Sequence, residues 1–201
     1  LMPRIFAHMG RQSDDSRLFK SIKTSSAMMQ NLLDIESRTG GERWLRAIDD
    51  ELGRQKKTVE LREGRSALRR YFAEPIEKIT DIGRRVFGKQ PLNEVNYGET
   101  SGGGGLPGSS QVYINTDVEP WPYAKSLKGR NPYVQSLIDT MRHEIGGHVA
   151  QSLTPGYSIW RGPENELTAQ GLVGEQGQAM TPRGEEVRRY FGGLPRPEEN
   201  Y

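Results

Sequence analysis

The spacing of apolar residues predicts several short helices and two strands. Apolar positions recur every three or four residues in four stretches that we expect to be helices: residues 18–35, 44–52, 65–73 and 75–87. Two shorter stretches alternate apolar and polar positions, as half-buried strands do: residues 57–62 and 111–116. The pattern therefore favours an α+β fold that is mostly helical with a small sheet.

The second half of the chain contains one longer predicted helix and one short one. Asn131 can cap a helix over residues 132–152, with Pro132 at its first position and a stripe of apolar residues along one side. A short helix opened by Pro163 is expected over residues 162–172. Between them, these two helices carry most of the candidate chemistry.

Composition narrows the class of protein. The 28 basic and 26 acidic residues leave a net charge of +2, and no apolar run reaches the roughly 18 residues of a membrane span. We therefore expect neither nucleic acid nor a membrane as a partner. Cysteine is absent, which excludes disulfides and thiolate metal ligands. The polar residues 1–17 are expected to be disordered or extended, followed by a single domain over residues 18–201.

The helix of residues 132–152 carries a histidine motif with an unusual spacing. His143-Glu144-Ile145-Gly146-Gly147-His148 has one residue more than the H-E-x-x-H of zinc proteases. On a regular α-helix, histidines five apart would point roughly 140° away from each other. A π-type turn brings such residues back to one face. We therefore expect the helix to widen at Gly146 and Gly147, so that both imidazoles reach one metal ion.

A catalytic zinc needs a third protein ligand and a position left open for water. Glu166 in the short helix is the predicted third ligand, and Glu164 is the alternative. Gln170, one turn after Glu166, is expected to hold a ligand histidine in place. Glu144 suits the role of general base toward the attacking water.

A donor toward the negative charge of the transition state is also required. Four residues are candidates for it: Tyr157, Arg188, Arg189 and Tyr190. The alternative interpretation of the motif is that it has no metal-binding function and is the end of a surface helix in which two histidines occur by chance. Two of the three histidines of the chain nevertheless fall here, beside a glutamate and an apolar stripe.

Scattered segments over about residues 30–201 resemble the NleD-like zinc metallopeptidase effectors and related bacterial toxin proteins. In the second half, the matching residues are Glu166-Leu167-Thr168, Gly171-Leu172, Arg188-Arg189 and Gly193-Leu194-Pro195. In the first half they are Ile35-Glu36-Ser37, Gly41, Leu45, Ile48, Val59 and Leu61. The chain departs from that family in its motif, because the family carries H-E-x-x-H. The resemblance implies a zincin-like fold and an enzyme delivered by a bacterium into a target cell, where it cleaves a host signalling protein.

The longer spacing is similar to the H-E-L-L-G-H of dipeptidyl peptidase III. The third ligand of that enzyme lies in an E-E-x-x-A-E segment, and residues 165–170 keep the ligand glutamate as Glu166 and the alanine as Ala169. This resemblance implies that H-E-x-x-x-H can bind zinc with Glu166 as its partner.

The sequence thus predicts a zinc metallopeptidase with His143, His148 and Glu166 as ligands and Glu144, Tyr157 and Arg188 as catalytic residues. Two alternatives use the same residues. The chain can be a degenerate zincin-fold protein that acts as a binding module, or a zinc hydrolase of a nonpeptide amide bond.

Overall fold

The structure is a computed structural model that describes residues 19–67, 69–88, 97–101, 109–120, 131–158 and 161–192. Its helices are α1 Ala27–Glu36, α2 Glu42–Arg54, α3 Glu74–Val86, α4 Pro132–Met141, α5 Ala150–Leu153, α6 Gly162–Val173 and α7 Pro182–Tyr190. Its strands are β1 Ile22–Lys23, β2 Thr58–Glu63, β3 Gly98–Ser101 and β4 Ser109–Ile114. The expected α+β class, mostly helical with a small sheet, is confirmed.

A kink and two π-helical turns join or precede several helices. Ser37–Gly41 links α1 to α2 through a kink at Gly40, whose φ of 104° suits a residue without a side chain. Arg69–Ala73 precedes α3, and Arg142–Val149 joins α4 to α5. A short 3₁₀ turn, Glu175–Gly177, follows α6.

The four strands form one mixed sheet in the order β1-β2-β4-β3. β1 and β2 are parallel, as are β2 and β4, while β3 runs antiparallel to β4. In register, Leu61 of β2 pairs with Val112 of β4, which in turn pairs with Thr100 of β3. β3 is therefore the terminal strand on the side of the sheet next to β4.

One hydrophobic core joins the sheet to the helices. The alternation that predicted β2 reflects this burial, since Val59 and Leu61 are fully enclosed. The core also takes side chains from α1, α2, α4, α5 and α7, among them Leu32, Leu45, Ile48, Met141, Leu153 and Val187. The segment Arg142–Val149 adds Ile145 and Val149, so the histidine motif is attached directly to the core.

Several predicted elements differ from the structure in their bounds. Residues 18–35 were expected to form one helix, but β1 lies within that range and α1 begins only at Ala27. Ser26 explains the late start, because its side chain accepts a hydrogen bond from the Met29 N–H and caps the helix. β3 was not predicted at all. The expected disorder of residues 1–17 falls outside the described residues.

In the part of the chain that the structure describes, no helix is long and apolar enough to span a membrane.

Candidate metal centre

The histidine motif lies on a π-helical segment, as its spacing predicted. Arg142–Val149 has π-type hydrogen bonding, and at its end the Ala150 N–H donates to the carbonyl of Ile145, five residues back. The two imidazoles consequently meet on one face. The Nε2 atoms of His143 and His148 lie 3.1 Å apart, and the ring planes cross at 73°.

The two glycines of the motif allow neighbouring helices to pack closely on the π-helical segment. A Cβ at Gly147 would lie 2.7 Å from the Cβ of Ala169 in α6, closer than real Cβ atoms approach. A Cβ at Gly146 would lie 3.4 Å from Trp44 and Val173, which is ordinary contact. The missing side chain at Gly147 therefore lets α6 approach closely, and α6 carries Glu166.

Three side chains converge on one point. Oε2 of Glu166 lies 3.2 Å from Nε2 of His148, and its Oε1 lies 3.4 Å from Nε2 of His143. Two ligands bound tetrahedrally to zinc at about 2.0–2.1 Å would lie roughly 3.3 Å from each other. The observed separations match that spacing. These three residues form a group that can hold a metal ion, with two nitrogen donors and one carboxylate.

Two further side chains hold the ligands in position. Glu175, just beyond α6, places Oε2 2.7 Å from Nδ1 of His143, so that Nε2 is the nitrogen directed at the site. Gln170 donates from Nε2 to Oε1 of Glu166 at 3.0 Å. Gln170 was expected to support a histidine, and this expectation is wrong, because one turn of α6 places it beside Glu166 instead.

The pKa values reflect this crowding of charges. Burial would lower the pKa of His143, but the hydrogen bonds to Glu166 and Glu175 raise it to about 10. Hydrogen bonds from His143 and His148 hold the pKa of Glu166 well below its usual range. The His143 imidazole and the Glu166 carboxylate therefore attract each other, with the His143 ring buried and Glu166 partly exposed.

The Glu144 side chain packs against β3. Its side chain is buried, and its Oε2 accepts a hydrogen bond of 2.6 Å from the Thr100 hydroxyl. A Cβ at Gly98 would lie 2.8 Å from Oε1 of Glu144, so a side chain at position 98 would clash with this carboxylate. Burial raises the pKa of Glu144, against the lowering effect of His148 and His143. A carboxylate with a raised pKa is a better proton acceptor near neutral pH.

Arg142, next to His143, anchors the segment in the core. Its guanidinium forms two hydrogen bonds with the carboxylate of Glu36, of 3.0 and 2.8 Å, and a third with Asp139. The indole of Trp44 also donates to Glu36, at 3.1 Å. Both charged groups thus have hydrogen-bond partners: the Arg142 guanidinium has two carboxylates, and the Glu36 carboxylate has a guanidinium and an indole. A buried ion pair is stable only when its charges are satisfied in this way.

The remaining predicted residues lie elsewhere in the fold. Glu164, the alternative ligand, is exposed at the start of α6 and faces Arg161 at 3.7 Å. Tyr190 donates to Glu51 of α2 at 2.6 Å. Tyr157 is half-buried after α5, and Arg188 is half-buried on α7. Their catalytic roles stay predictions.

The three ligand side chains form their described hydrogen bonds and ion pairs with one another and with the side chains of Glu175 and Gln170.

The sequence did not predict the roles of Glu175 and Thr100. Glu175 carries no periodic signal, since it follows the left-handed Gly174 that ends α6. Thr100 could have been found, because the glycine-rich residues 102–108 separate it from a predicted strand, as in a hairpin.

Comparison with known proteins finds no matching family model and no matching solved structure. Two curated proteins match part of the chain, the tRNA-specific 2-thiouridylases MnmA of Thermotoga petrophila and Thermotoga maritima. Each is 32% identical over 89 residues, which are 41% of this chain and 24% of the relative. The chain thus spans about a quarter of the length of these relatives, and the match does not place it in their family.

Proposed function

We propose that the protein is a zinc-dependent metallopeptidase with a zincin-like fold. The observation that carries the proposal is the convergence of His143, His148 and Glu166 with a buried glutamate, Glu144, on the same segment. Two nitrogens and one oxygen are an established donor set for catalytic zinc, and they leave a fourth position for water. No thiolate is present to favour a closed structural site.

Peptide hydrolysis at this site would require an activated water, a proton acceptor and correctly oriented metal ligands. A zinc ion held by His143, His148 and Glu166 would supply Lewis acidity for activating water and for polarising the carbonyl that is attacked. Glu144 accepts the proton of that water on Oε1, because Thr100 occupies Oε2. Glu144 then returns the proton to the leaving amine. Glu175 keeps the proton of His143 on Nδ1, so that Nε2 stays available as a ligand.

The sheet suggests where an extended substrate would lie. β3 is terminal in the order β1-β2-β4-β3, and no further strand of the described residues pairs with its outer edge. An extended peptide can add to such an edge through its main chain. Thr100 would then bring the substrate next to the carboxylate of Glu144. The effector resemblance extends the proposal to a protein substrate inside a target cell.

Metal content and cleavage together test this proposal. We expect about one equivalent of zinc per chain, lost in His143→Ala and retained in Glu144→Gln. A peptide library analysed by mass spectrometry should show cleavage by the wild type that Glu144→Gln lowers by at least about a hundredfold.

Three other outcomes would contradict the proposal. Absence of bound zinc would remove its basis. Bound zinc with no cleavage above the Glu144→Gln background would identify a binding module that retains the site without activity. Hydrolysis confined to small N-acyl amides, again lost in Glu144→Gln, would identify an amidase.

A further inference from the structure

Helix α3 presents an apolar face to solvent. Ile76, Ile79, Ile82, Val86 and the adjoining Phe87 are between 63% and 79% exposed, and we call these five residues the α3 face. No residue of α3 is buried. Successive residues turn by about 100°, so these side chains occupy a single stripe with the charged residues opposite. An amphipathic helix with an exposed apolar side is a marker of an interaction surface.

The spacing within the stripe fits pairing with another helix. Ile76, Ile79, Gly83 and Val86 follow each other at intervals of three, four and three residues, which is the a and d pattern of helix pairs. A Cβ at Gly83 would meet nothing within 4 Å, so this position is an open notch in the stripe. An antiparallel copy of α3 would place Ile79 in that notch and Ile76 opposite Val86.

The charges of α3 also suit an antiparallel copy. The first turn contains Glu74 and Glu77, and the last turn contains Arg84 and Arg85. Antiparallel pairing sets the acidic end of one helix beside the basic end of the other, whereas parallel pairing sets like charges together. Glu74 and Glu77 already pair with Arg65 and Arg69 of their own chain, but the Glu77 side chain is still 43% exposed and can accept a second cation.

A membrane fits the same helix less well. Its charged residues comprise three acidic groups and three basic groups, so the polar side has no net positive charge. Interfacial membrane helices typically carry an excess of lysine and arginine there, which attracts anionic lipid. The neutral polar side favours a protein partner with the opposite order of charges.

The area is adequate for a weak dimer. The five side chains of the α3 face expose roughly 600 Å² per copy, as four aliphatic groups and one aromatic ring do at these exposures. A twofold interface would bury about twice that, near the lower limit of about 1,200 Å² for specific complexes. An interface of this size is typical of weak, reversible association.

We infer that two copies of this chain associate through the α3 face, with the two α3 helices antiparallel about a twofold axis near Asp81. A twofold contact uses the same surface on both copies, which explains why one helix carries the apolar stripe, the notch and both signs of charge. This association is independent of the proposed zinc chemistry.

Sedimentation velocity of the full chain across the micromolar range tests the inference. We expect reversible dimers for the wild type and a dissociation constant at least about a hundredfold higher for Ile79→Glu, because pairing would bury an unpaired charge. Lys78→Glu, on the polar side of the same helix, is the matched control and should still dimerise. Circular dichroism and thermal unfolding verify that both variants fold.

An introduced cysteine tests the orientation, since the natural chain has none. Thr80→Cys lies near the proposed axis and should form an intermolecular disulfide under mild oxidation. Phe87→Cys should not, because antiparallel copies separate these residues by about 18 Å along the helix axis. Efficient cross-linking at Phe87→Cys alone would contradict the antiparallel arrangement.

Two results would overturn the inference. One is a wild type that stays monomeric throughout the concentration range. The other is a monomer that binds vesicles of anionic phospholipid through the α3 face and loses this binding in Ile79→Glu.

Discussion

Two of the three ligands of the candidate metal centre depend on a supporting side chain. His143 is oriented by Glu175, and Glu166 by Gln170, so that the donor atoms are held at 3.1–3.4 Å from one another. Such supporting hydrogen bonds lower the cost of ordering the ligands when a metal binds.

Replacing Glu175 should weaken metal binding. Glu175→Ala removes the acceptor of the His143 Nδ1 proton, and the imidazole loses both its orientation and part of its basicity. We expect zinc affinity to fall about 10–100-fold in competition with a chelating dye. Glu164→Ala, which removes an exposed carboxylate near the start of α6, is the control and should change affinity less than about twofold. Equal affinity in the two variants would contradict the role given to Glu175.

Zinc binding should release protons. Because the pKa of His143 is raised to about 10 in the absence of metal, its imidazole is protonated at neutral pH, and a metal can bind only the neutral form. Apparent affinity should therefore rise about tenfold per pH unit between about pH 7 and 8. Titration calorimetry in two buffers of different ionisation enthalpy measures the protons released. A value near zero at pH 7 would show that His143 is already neutral.

At the scale of the element, the π-helical segment and α6 form one unit. The widened turn directs His143 and His148 to the same side, and the contact of Gly147 with Ala169 sets the distance to Glu166. The sequence predicted the widened turn, because a spacing of five residues is incompatible with a shared face on a regular helix. It could not predict how closely α6 approaches, since that depends on packing between distant segments.

A methyl group at Gly147 should damage the site. In Gly147→Ala the new Cβ must displace α6, because the Ala169 Cβ would be only 2.7 Å away. We expect the free energy of unfolding to fall by about 1–3 kcal/mol, together with a loss of zinc affinity.

Gly146→Ala is the matched control for this helix. Its Cβ would meet Trp44 and Val173 at 3.4 Å, and alanine favours helix over glycine by up to about 1 kcal/mol. The control should therefore unfold at the same or a higher denaturant concentration. Two variants with equal losses would indicate that the helix itself requires both glycines.

At the scale of the whole molecule, the buried ion pair of Glu36 with Arg142 connects α1 to the segment that carries the histidines. The two residues are 106 positions apart in the sequence, and both side chains are at most 5% exposed. Nothing in the local pattern of either segment could reveal this pairing. A contact between two single polar residues far apart in the sequence produces no repeating pattern. The repeated apolar positions of α2 and β2, in contrast, predicted where these two elements lie in the chain.

Breaking this ion pair should destabilise the protein strongly. Glu36→Ala removes the carboxylate that accepts two hydrogen bonds from the buried guanidinium of Arg142, and it removes the acceptor of the Trp44 indole. We expect a loss of about 3 kcal/mol or more in urea denaturation at neutral pH. Glu42→Ala, which breaks an exposed pair with Arg46, should cost less than about 1 kcal/mol. A small effect at Glu36 would mean that water reaches Arg142.

The widened turn also bears on which lengths of this helix the fold can accommodate. One residue more or fewer in a regular α-helix rotates every later side chain by about 100° around the axis. Ala150 and Leu153 lie beyond the π-helical segment, and both are buried in the core. A chain with one glycine fewer should therefore keep these two residues in the core only if the segment returns to regular α-helical turns.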